Sequence, residues 1–576
     1  MSETATVAPV PTTNGQPYTN GEAKTRSLPA FTDVQKSILT SADAVKVSQD
    51  WLERLSAFAK KAAAGDVSGA GEVFLEDGVH ILLISALTWD NRAFQGLSKI
   101  TTAIEATFGK ELPEEFKIAD PSPEVNNPYP DIGFIQTHFT FKTKVGVCTG
   151  VVNLIPTSDG AFKAWTLSTV LEGLRDFPEL ERPNGRLDGV TSWSDTRARN
   201  VAFEETDPDV VIVGAGHNGL VLAARLQQLG VKALCIEMNA KPGDFWRQRY
   251  EALSLHFPVW QDHLPYIPFP KQWPIYTPAA KIGNFLDCYA DCLDLLVWTS
   301  SKVTSAKFDA ATKRWTVQIE RKGLGTRELK PRHFVVATGL AGAPNIPKFE
   351  GIETFTGKIV HSSQHDSAKH WKGKKCLVVG TSSSGFDAAY DAAKYGVDVT
   401  MLQKSPTYVM SLTHGAPAVL GHIYSENGPT MEVADRIAQS MPTYAGEELA
   451  RRMTAGIAEK DSEMILSLAD GQDGLKRAGF KWYDGIRGTG TVLLGWERGG
   501  GFYYDCGATD AVIDGRIKIK QGTITRFDGD EVVFNDGSVE HYDLVILATG
   551  YGPVNESLAS LLGQDVGAKL KPVWGL

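Results

Sequence analysis

Twice in this chain of 576 residues, a short β-branched run leads straight into a glycine-rich loop and out into a helical stretch. The first instance runs Asp209-Val-Val-Ile-Val213, then Gly214-Ala-Gly216-His-Asn218-Gly219. Leu220 to Leu229 has helical composition, and Ala233-Leu-Cys-Ile236 is a further strand ending at Glu237. Such a loop needs its first glycine for a tight turn. The second lets the backbone approach a pyrophosphate, and the third lets helix pack on strand. The helix N-terminus offers free N–H groups and the positive end of its dipole to an anion. An acid closing the second strand accepts from ribose hydroxyls. Gly214, Gly216, Asn218, Gly219 and Glu237 are therefore candidate dinucleotide ligands.

The second instance is Lys375-Cys-Leu-Val-Val379, then Gly380-Thr-Ser382-Ser383-Ser-Gly385, a helical stretch from Phe386 to Tyr395 and a strand from Val397 to Leu402. Ser382 stands where the middle glycine belongs. Its hydroxyl can donate to a phosphate, while its side chain limits close approach. The strand ends at Gln403-Lys404-Ser405, so no carboxylate repels a 2′-phosphate and Lys404 can pair with one, which favours NADPH over NADH. Gly380, Ser382, Ser383, Gly385 and Lys404 form the second candidate set. One acidic-ended and one basic-ended site together imply FAD and NADPH, with hydride passing from nicotinamide to flavin.

The rest of the chain reads as flanking units. Residues 1–30, rich in Pro, Thr, Asn, Ser and Gly, are expected to be a disordered tail. Residues 31–185 are expected to form a smaller α+β cone-like domain. In it Val45 to Ala64 has helical spacing, with Val45, Trp51, Leu52, Leu55, Phe58 and Ala59 on one face. Phe134 to Phe141 alternates as a strand, and Val145 to Ile155 and Ala164 to Val170 are further strands. A leading helix before antiparallel strands resembles the nuclear-transport-factor-like (SnoaL-like) cone. His80, Trp89, Asp90 and His138 are candidate pocket residues there, weighed against a plain role in the core or on the surface. A linker is expected over 186–207, and then βαβ alternation begins. The fold class is α/β, with two Rossmann-type domains: 208–350 for FAD, 351–530 for NADPH, and 531–576 returning to the FAD domain.

Composition narrows the function classes. A net charge of −10, without a basic run, gives no global reason to bind nucleic acid or an anionic membrane. The longest apolar stretches, such as Ile81 to Leu87, fall far short of the ~18–20 residues that span a bilayer. No positive n-region precedes an apolar core at the N-terminus, so a cytoplasmic protein is expected. Six scattered cysteines argue against a disulfide framework. Only Cys288 and Cys292 are near neighbours, and without further ligands no metal site is expected. The expected partners are a small-molecule substrate and dioxygen, with the N-terminal domain a candidate homodimer interface.

Several segments resemble the flavin-containing monooxygenases and their plant YUCCA relatives. Phe355-Thr-Gly357-Lys-Ile-Val-His361 matches that family's F-x-G-x-x-x-H motif, although His365 stands where a Tyr, Phe or Trp usually follows. Val336-Ala-Thr-Gly339 resembles the family's hinge between nucleotide domains, and Leu547-Ala-Thr-Gly550-Tyr551 its C-terminal A-T-G-Y strand. Leu253 to Pro258 and the Pro-rich run to Tyr276 look like the segment beside the flavin, and Gly243 and Trp246 fit a G-x-x-W stretch against the isoalloxazine. The resemblance adds Trp246, Val303, Gly339 and Gly550 to the cofactor set and makes His256 and His361 the catalytic candidates. It implies that NADPH reduces FAD and that one oxygen atom passes to a small organic substrate through a flavin C4a-(hydro)peroxide. The outcome is N- or S-oxygenation or oxidative decarboxylation. Alternatives are a Baeyer–Villiger enzyme or a non-catalytic relative that binds nucleotide only. The family usually continues past the Trp574 region, so either another element closes the flavin site or flavin retention is weakened. A reductase working through a redox cysteine pair is disfavoured, because neither Cys235 nor Cys376 has a neighbouring partner.

Overall fold

The computed structural model describes residues 31–181, 192–413, 415–443, 445–464 and 471–571; the expected tail at 1–30 lies outside them. The described residues divide into two units, one from 31–179 together with 420–452, the other from 180–419 together with 453–571.

In the first unit, helix α1 (Ala44–Ala63) starts at Asp43, whose side chain accepts the Lys46 N–H, and ends with Lys60 and Lys61 in its last turn. Both ends suit the helix dipole. Trp51, Leu52, Leu55, Phe58, Ala59 and Ala62 recur at helical spacing and are its buried face. Seven strands follow: β1 (His80–Ile84), β2 (Asn91–Gln95), then, after helix α2 (Leu97–Glu111), β3 (Glu114–Ile118), β4 (Glu124–Tyr129), β5 (Ile132–Lys142), β6 (Gly146–Pro156) and β7 (Phe162–Leu174). Their order is β2-β1-β7-β6-β5-β3, with β4 also on β5. Alternation sends Phe139, Phe141, Val152, Leu154 and Leu167 into the core with α1. The opposite face carries His80, Thr166, Asn153 and His138, all buried. The helix Met431–Ser440 lies against β6 and β7 in the same unit. The four pocket candidates are thus not brought together. His80 and His138 sit on the outer sheet face, Trp89 is 71% exposed, and Asp90 is tied to Arg92 at 2.9 Å.

In the second unit, strands β8 (Val210–Val213), β9 (Ala233–Ile236), β10 (Val297–Trp298) and β11 (His333–Val336) form a parallel sheet in the order β10-β9-β8-β11. Both faces are covered, as parallel sheets require. Helix α3 (His217–Gln228) packs Leu220, Ala223 and Ala224 on one side, and Val303, Ala306, Val317 and Ile319 of an antiparallel three-stranded sheet pack on the other. After β12 (Ala341–Pro344) a second parallel sheet forms from β13 (Lys358–His361), β14 (Lys375–Val379), β15 (Asp398–Gln403), β16 (Ile517–Gln521) and β17 (Leu544–Leu547), in the order β13-β17-β14-β15-β16. Helix α4 (Ser383–Lys394) covers it with Phe386, Ala388, Ala389 and Ala392. Then β18 (Tyr551–Pro553) pairs antiparallel with β12, and helix α5 (Val554–Leu562) packs Leu561 and Leu562 beside Val303.

Three boundaries differ from expectation. The last strand of the presumed FAD return, β17, belongs to the second sheet, where its fully buried Leu-Val-Ile-Leu run is inserted between β13 and β14. From β18 onward the chain pairs with β12 and packs helix α5 against the core beneath the first sheet. Residues 420–452 leave the expected 351–530 domain for the N-terminal unit. The expected linker contains a helix, Trp193–Ala202, anchored by Arg197 on Asp294 (3.0 Å) and by the Trp298 indole on the Val201 carbonyl (2.6 Å). No helix among the described residues is long and apolar enough to cross a membrane.

Candidate functional site

The first glycine loop has the backbone its residues allow. Gly214 sits at φ +99°, and a Cβ there would lie 2.7 Å from the Ala337 carbonyl oxygen. A Cβ on Gly219 would lie 2.0 Å from the Gly214 oxygen. Both positions are closed by the fold itself. Gly216 differs: a Cβ there meets nothing within 4 Å, and it faces open space at the start of α3. No side chain caps that helix, so its first N–H groups are free for an anion. Asn218 is exposed in the same turn. Glu237 is buried at the end of β9, where it accepts the Ala215 N–H (3.0 Å) and the Asn239 backbone N–H (2.8 Å), fixing the carboxylate beside the loop. These residues fit a dinucleotide.

Beside this loop, the Trp246 indole donates to His217 Nε2 at 2.9 Å. Burial holds His217 below the usual histidine range, consistent with a neutral acceptor. A Cβ on Gly243 would come 1.9 Å from the Gly283 oxygen, so this glycine serves helix packing. The Val303 side chain is spent in the core, at a bulge between Val303 and Ser305, which leaves its backbone as the part able to meet a ligand.

The second loop repeats the first. Gly380 sits at φ +115° with the Ala548 oxygen 2.5 Å from its would-be Cβ, and Gly385 stands against the Gly380 oxygen at 2.2 Å. Ala337-Thr338-Gly339 therefore crosses the first loop as Ala548-Thr549-Gly550 crosses the second, and neither Gly339 nor Gly550 has an atom within 4 Å of a Cβ position. Ser382 departs from expectation. Its hydroxyl donates to the Phe502 carbonyl (3.0 Å) and accepts the Gly501 N–H (3.2 Å), and Ser383 also donates to Phe502 (3.1 Å). Neither hydroxyl is free to serve a phosphate first. The backbone N–H groups opening α4, which no side chain caps, remain available. Lys404 is exposed just past β15. Next to it Gln403 is fully buried and bonded to both the N–H and the carbonyl of Lys481.

The two histidines separate. His361 is 1% exposed, and both ring nitrogens are in use: Nε2 meets the Gly550 carbonyl at 3.0 Å and Nδ1 meets Ser363 Oγ at 2.8 Å. Because a carbonyl only accepts, Nε2 carries the proton. His361 thus has both ring nitrogens bonded within the protein and anchors the Gly550 turn. His256 is partly exposed, with Nε2 3.8 Å from Asp387 Oδ2, and its ring meets Tyr503 and Tyr504 edge-on. Asp387 on α4 also accepts the Tyr250 hydroxyl at 2.8 Å. Burial raises the Asp387 carboxyl, partly opposed by His256 and by the Tyr250 hydroxyl. Tyr250 and Asp387 were missed in the sequence. The signal was an acid two residues past Gly385 in an otherwise alanine-rich helix face.

The family model described as pyridine nucleotide-disulphide oxidoreductase matches residues 211–414. The indole-3-pyruvate monooxygenase YUCCA1 of Oryza sativa subsp. japonica is 31% identical over 345 residues, which is 60% of this chain and 77% of that protein. The probable indole-3-pyruvate monooxygenase YUCCA3 of Arabidopsis thaliana is 32% identical over 346 residues, 59% of this chain and 72% of that one. Among solved structures, cyclohexanone monooxygenase from Rhodococcus sp. Phi1 bound to NADP+ is 20% identical with a TM-score of 0.45, covering 62% of this chain and 72% of its own. Cys235 and Cys376, the cysteines nearest the two loops, are buried free thiols, and Cys288 and Cys292 are also free. The paired glycine loops, each crossed by an Ala-Thr-Gly turn, and the extent of these matches lead to one conclusion: the chain belongs to the FAD- and NADPH-dependent flavin monooxygenases, in the branch that includes the YUCCA proteins.

Proposed function

We propose that the enzyme's substrate is a small 2-oxo acid with an apolar, aromatic side chain, which it oxidatively decarboxylates. The names of the two plant relatives support this class. In balance, the 2-oxo acid, dioxygen, NADPH and a proton give the carboxylic acid one carbon shorter, carbon dioxide, water and NADP+. When bound, FAD supplies the electron relay and the activation of dioxygen. The protein's part is to bind, orient and exclude water. Gly216 and the opening N–H groups of α3 hold the FAD pyrophosphate, and Glu237 holds its ribose. The α4 N-terminus and Lys404 hold NADPH. His256, the partly exposed histidine steered by Asp387, is the side chain able to carry a proton near the substrate.

The cofactor part of this reading is carried by the contrast at Gly216, the one position of the first fingerprint's three glycines where a Cβ meets open space, and the substrate class by the relatives' names. Tests with purified enzyme would follow NADPH oxidation, oxygen uptake and product with indole-3-pyruvate, phenylpyruvate, a thioether and a tertiary amine. The expected result is stoichiometric carbon dioxide and shortened acid from the oxo acids. Turnover confined to the thioether or amine would refute the substrate class and leave the enzyme an N- or S-oxygenase.

A further inference from the structure

The N-terminal unit holds a small cavity between α1, α2 and the inner sheet face. Its walls are almost wholly apolar, and Phe74, Phe108, Phe116, Phe139 and Phe141 supply most of the aromatic surface. The arrangement follows from sequence. Gly150 on β6 has no side chain, and the Phe139 ring lies where its Cβ would be, at 2.2 Å. The ring therefore packs flat against the sheet and forms one wall. Ala103, a small residue on α2, leaves space on the opposite side.

Two hydroxyls break the pattern, and that of Thr107 donates to the Ala103 carbonyl at 2.8 Å. Thr169 on β7 is 4% exposed, lines the cavity, and its Oγ1 has no hydrogen-bond partner. A buried hydroxyl without a partner is costly. Water is a poor remedy, since a buried water needs two to four polar partners, and one open hydroxyl beside one already bonded offers too few. A molecule that fills the apolar volume and brings its own polar atom answers both needs. A charge is excluded, because none of the lining side chains is charged to pair with it.

We infer that this cavity is a binding site for a small neutral aromatic molecule of one ring carrying a single hydrogen-bonding group, which it directs at Thr169 Oγ1. The site belongs to the N-terminal unit, the nucleotide loops to the other, and it does not depend on the substrate class proposed above.

Calorimetric titration of the FAD-loaded full-length enzyme with phenol and, separately, toluene tests it. Both bind the parent protein. Thr169→Val keeps the shape of the side chain and removes the lone hydroxyl, so it folds; in it phenol affinity falls roughly five- to tenfold while toluene is unchanged or tighter. Ala103→Leu fills the space and abolishes both, with NADPH oxidation retained. Should Ala103→Leu not fold, the phenol-to-toluene ratio in Thr169→Val decides alone. No heat with either probe, binding that ignores both substitutions, or equal loss of both probes in Thr169→Val would overturn the inference.

Discussion

Gly216 and Gly219 stand three residues apart in one loop, yet the structure gives them different work, and alanine at each should separate folding from cofactor binding. At Gly219 a Cβ would lie 2.0 Å from the Gly214 oxygen and 3.0 Å from its carbon. Both are backbone atoms, so no rotamer change relieves the clash, and α3 must move off β8. Overpacking of this kind costs about 1–3 kcal/mol or more. For a unit of this size that is a fall of roughly 1–4 °C in the melting temperature of the flavin-free protein. At Gly216, φ is −81° and nothing lies within 4 Å. Alanine there loses some capping preference, about 1 kcal/mol, and regains about 0.4–1 kcal/mol by restricting the unfolded chain. The flavin-free protein should therefore melt within a degree or two of the parent. Its added methyl nevertheless sits where the pyrophosphate must approach, so FAD affinity should drop at least tenfold, about 1.4 kcal/mol. The assay is a thermal melt of stripped protein beside 450-nm absorbance after reconstitution with limiting FAD. Full flavin occupancy in Gly216→Ala, or a parental melt in flavin-free Gly219→Ala, would refute the division of roles.

Lys404→Ala should raise KM for NADPH by about tenfold or more, the loss of one charge-assisted contact, and leave KM for NADH unchanged; equal effects on both would remove Lys404 from the site. Tyr250→Phe deletes the hydroxyl that donates to buried Asp387 at 2.8 Å and should cost about 1–3 kcal/mol, read as a lower urea midpoint. Burial, only partly opposed by His263, pushes the Asp262 carboxyl up to about 7, and its Oδ2 has no partner in the protein. The folded state thus keeps a proton the unfolded chain releases near pH 4, so stability falls as pH rises from about 4 to about 7, by at most about 4 kcal/mol; Asp262→Asn should flatten that slope in melts across the range.

What was legible in the chain was local. Glycine spacing, β-branched runs and the acid or lysine closing a strand are written within some thirty residues, and the structure forms both βαβ units where they stand. What escaped depends on distant pairing. Leu544 to Leu547 reads as a buried strand wherever it goes, and nothing nearby says that it inserts between β13 and β14. His138 alternates as an outward residue, yet it is 1% exposed because the helix Met431–Ser440, nearly 300 positions on, packs on that sheet. Tyr250 and Asp387 are separated by 137 residues, so their contact is visible only after the two nucleotide halves fold together. Ser382 shows the limit from the other side: its residue type suits a phosphate, but the carbonyl of Phe502, 120 residues later, claims its hydroxyl.

The Phe355-x-Gly357-x-x-x-His361 motif gains a mechanical meaning from the same geometry. Phe355 packs edge-on against Phe527, with ring centres 5.2 Å apart. A Cβ on Gly357 would lie 2.6 Å from the Asp543 oxygen, so glycine is what lets β13 close on the start of β17. His361, at the other end of β13, reaches the Gly550 carbonyl, which also accepts the Asn345 N–H at 2.9 Å. Asn345 follows β12 and Gly550 precedes β18, the two strands that connect the nucleotide-binding halves. One carbonyl thus joins the motif, the second Ala-Thr-Gly turn and the connecting ribbon. Gly342 tightens the ribbon further, since a Cβ there would meet the Gly552 oxygen at 2.5 Å. Any change in the separation of the two glycine loops has to bend this short ribbon. The motif's histidine is thus buried and fully bonded, part of the contacts that hold this ribbon.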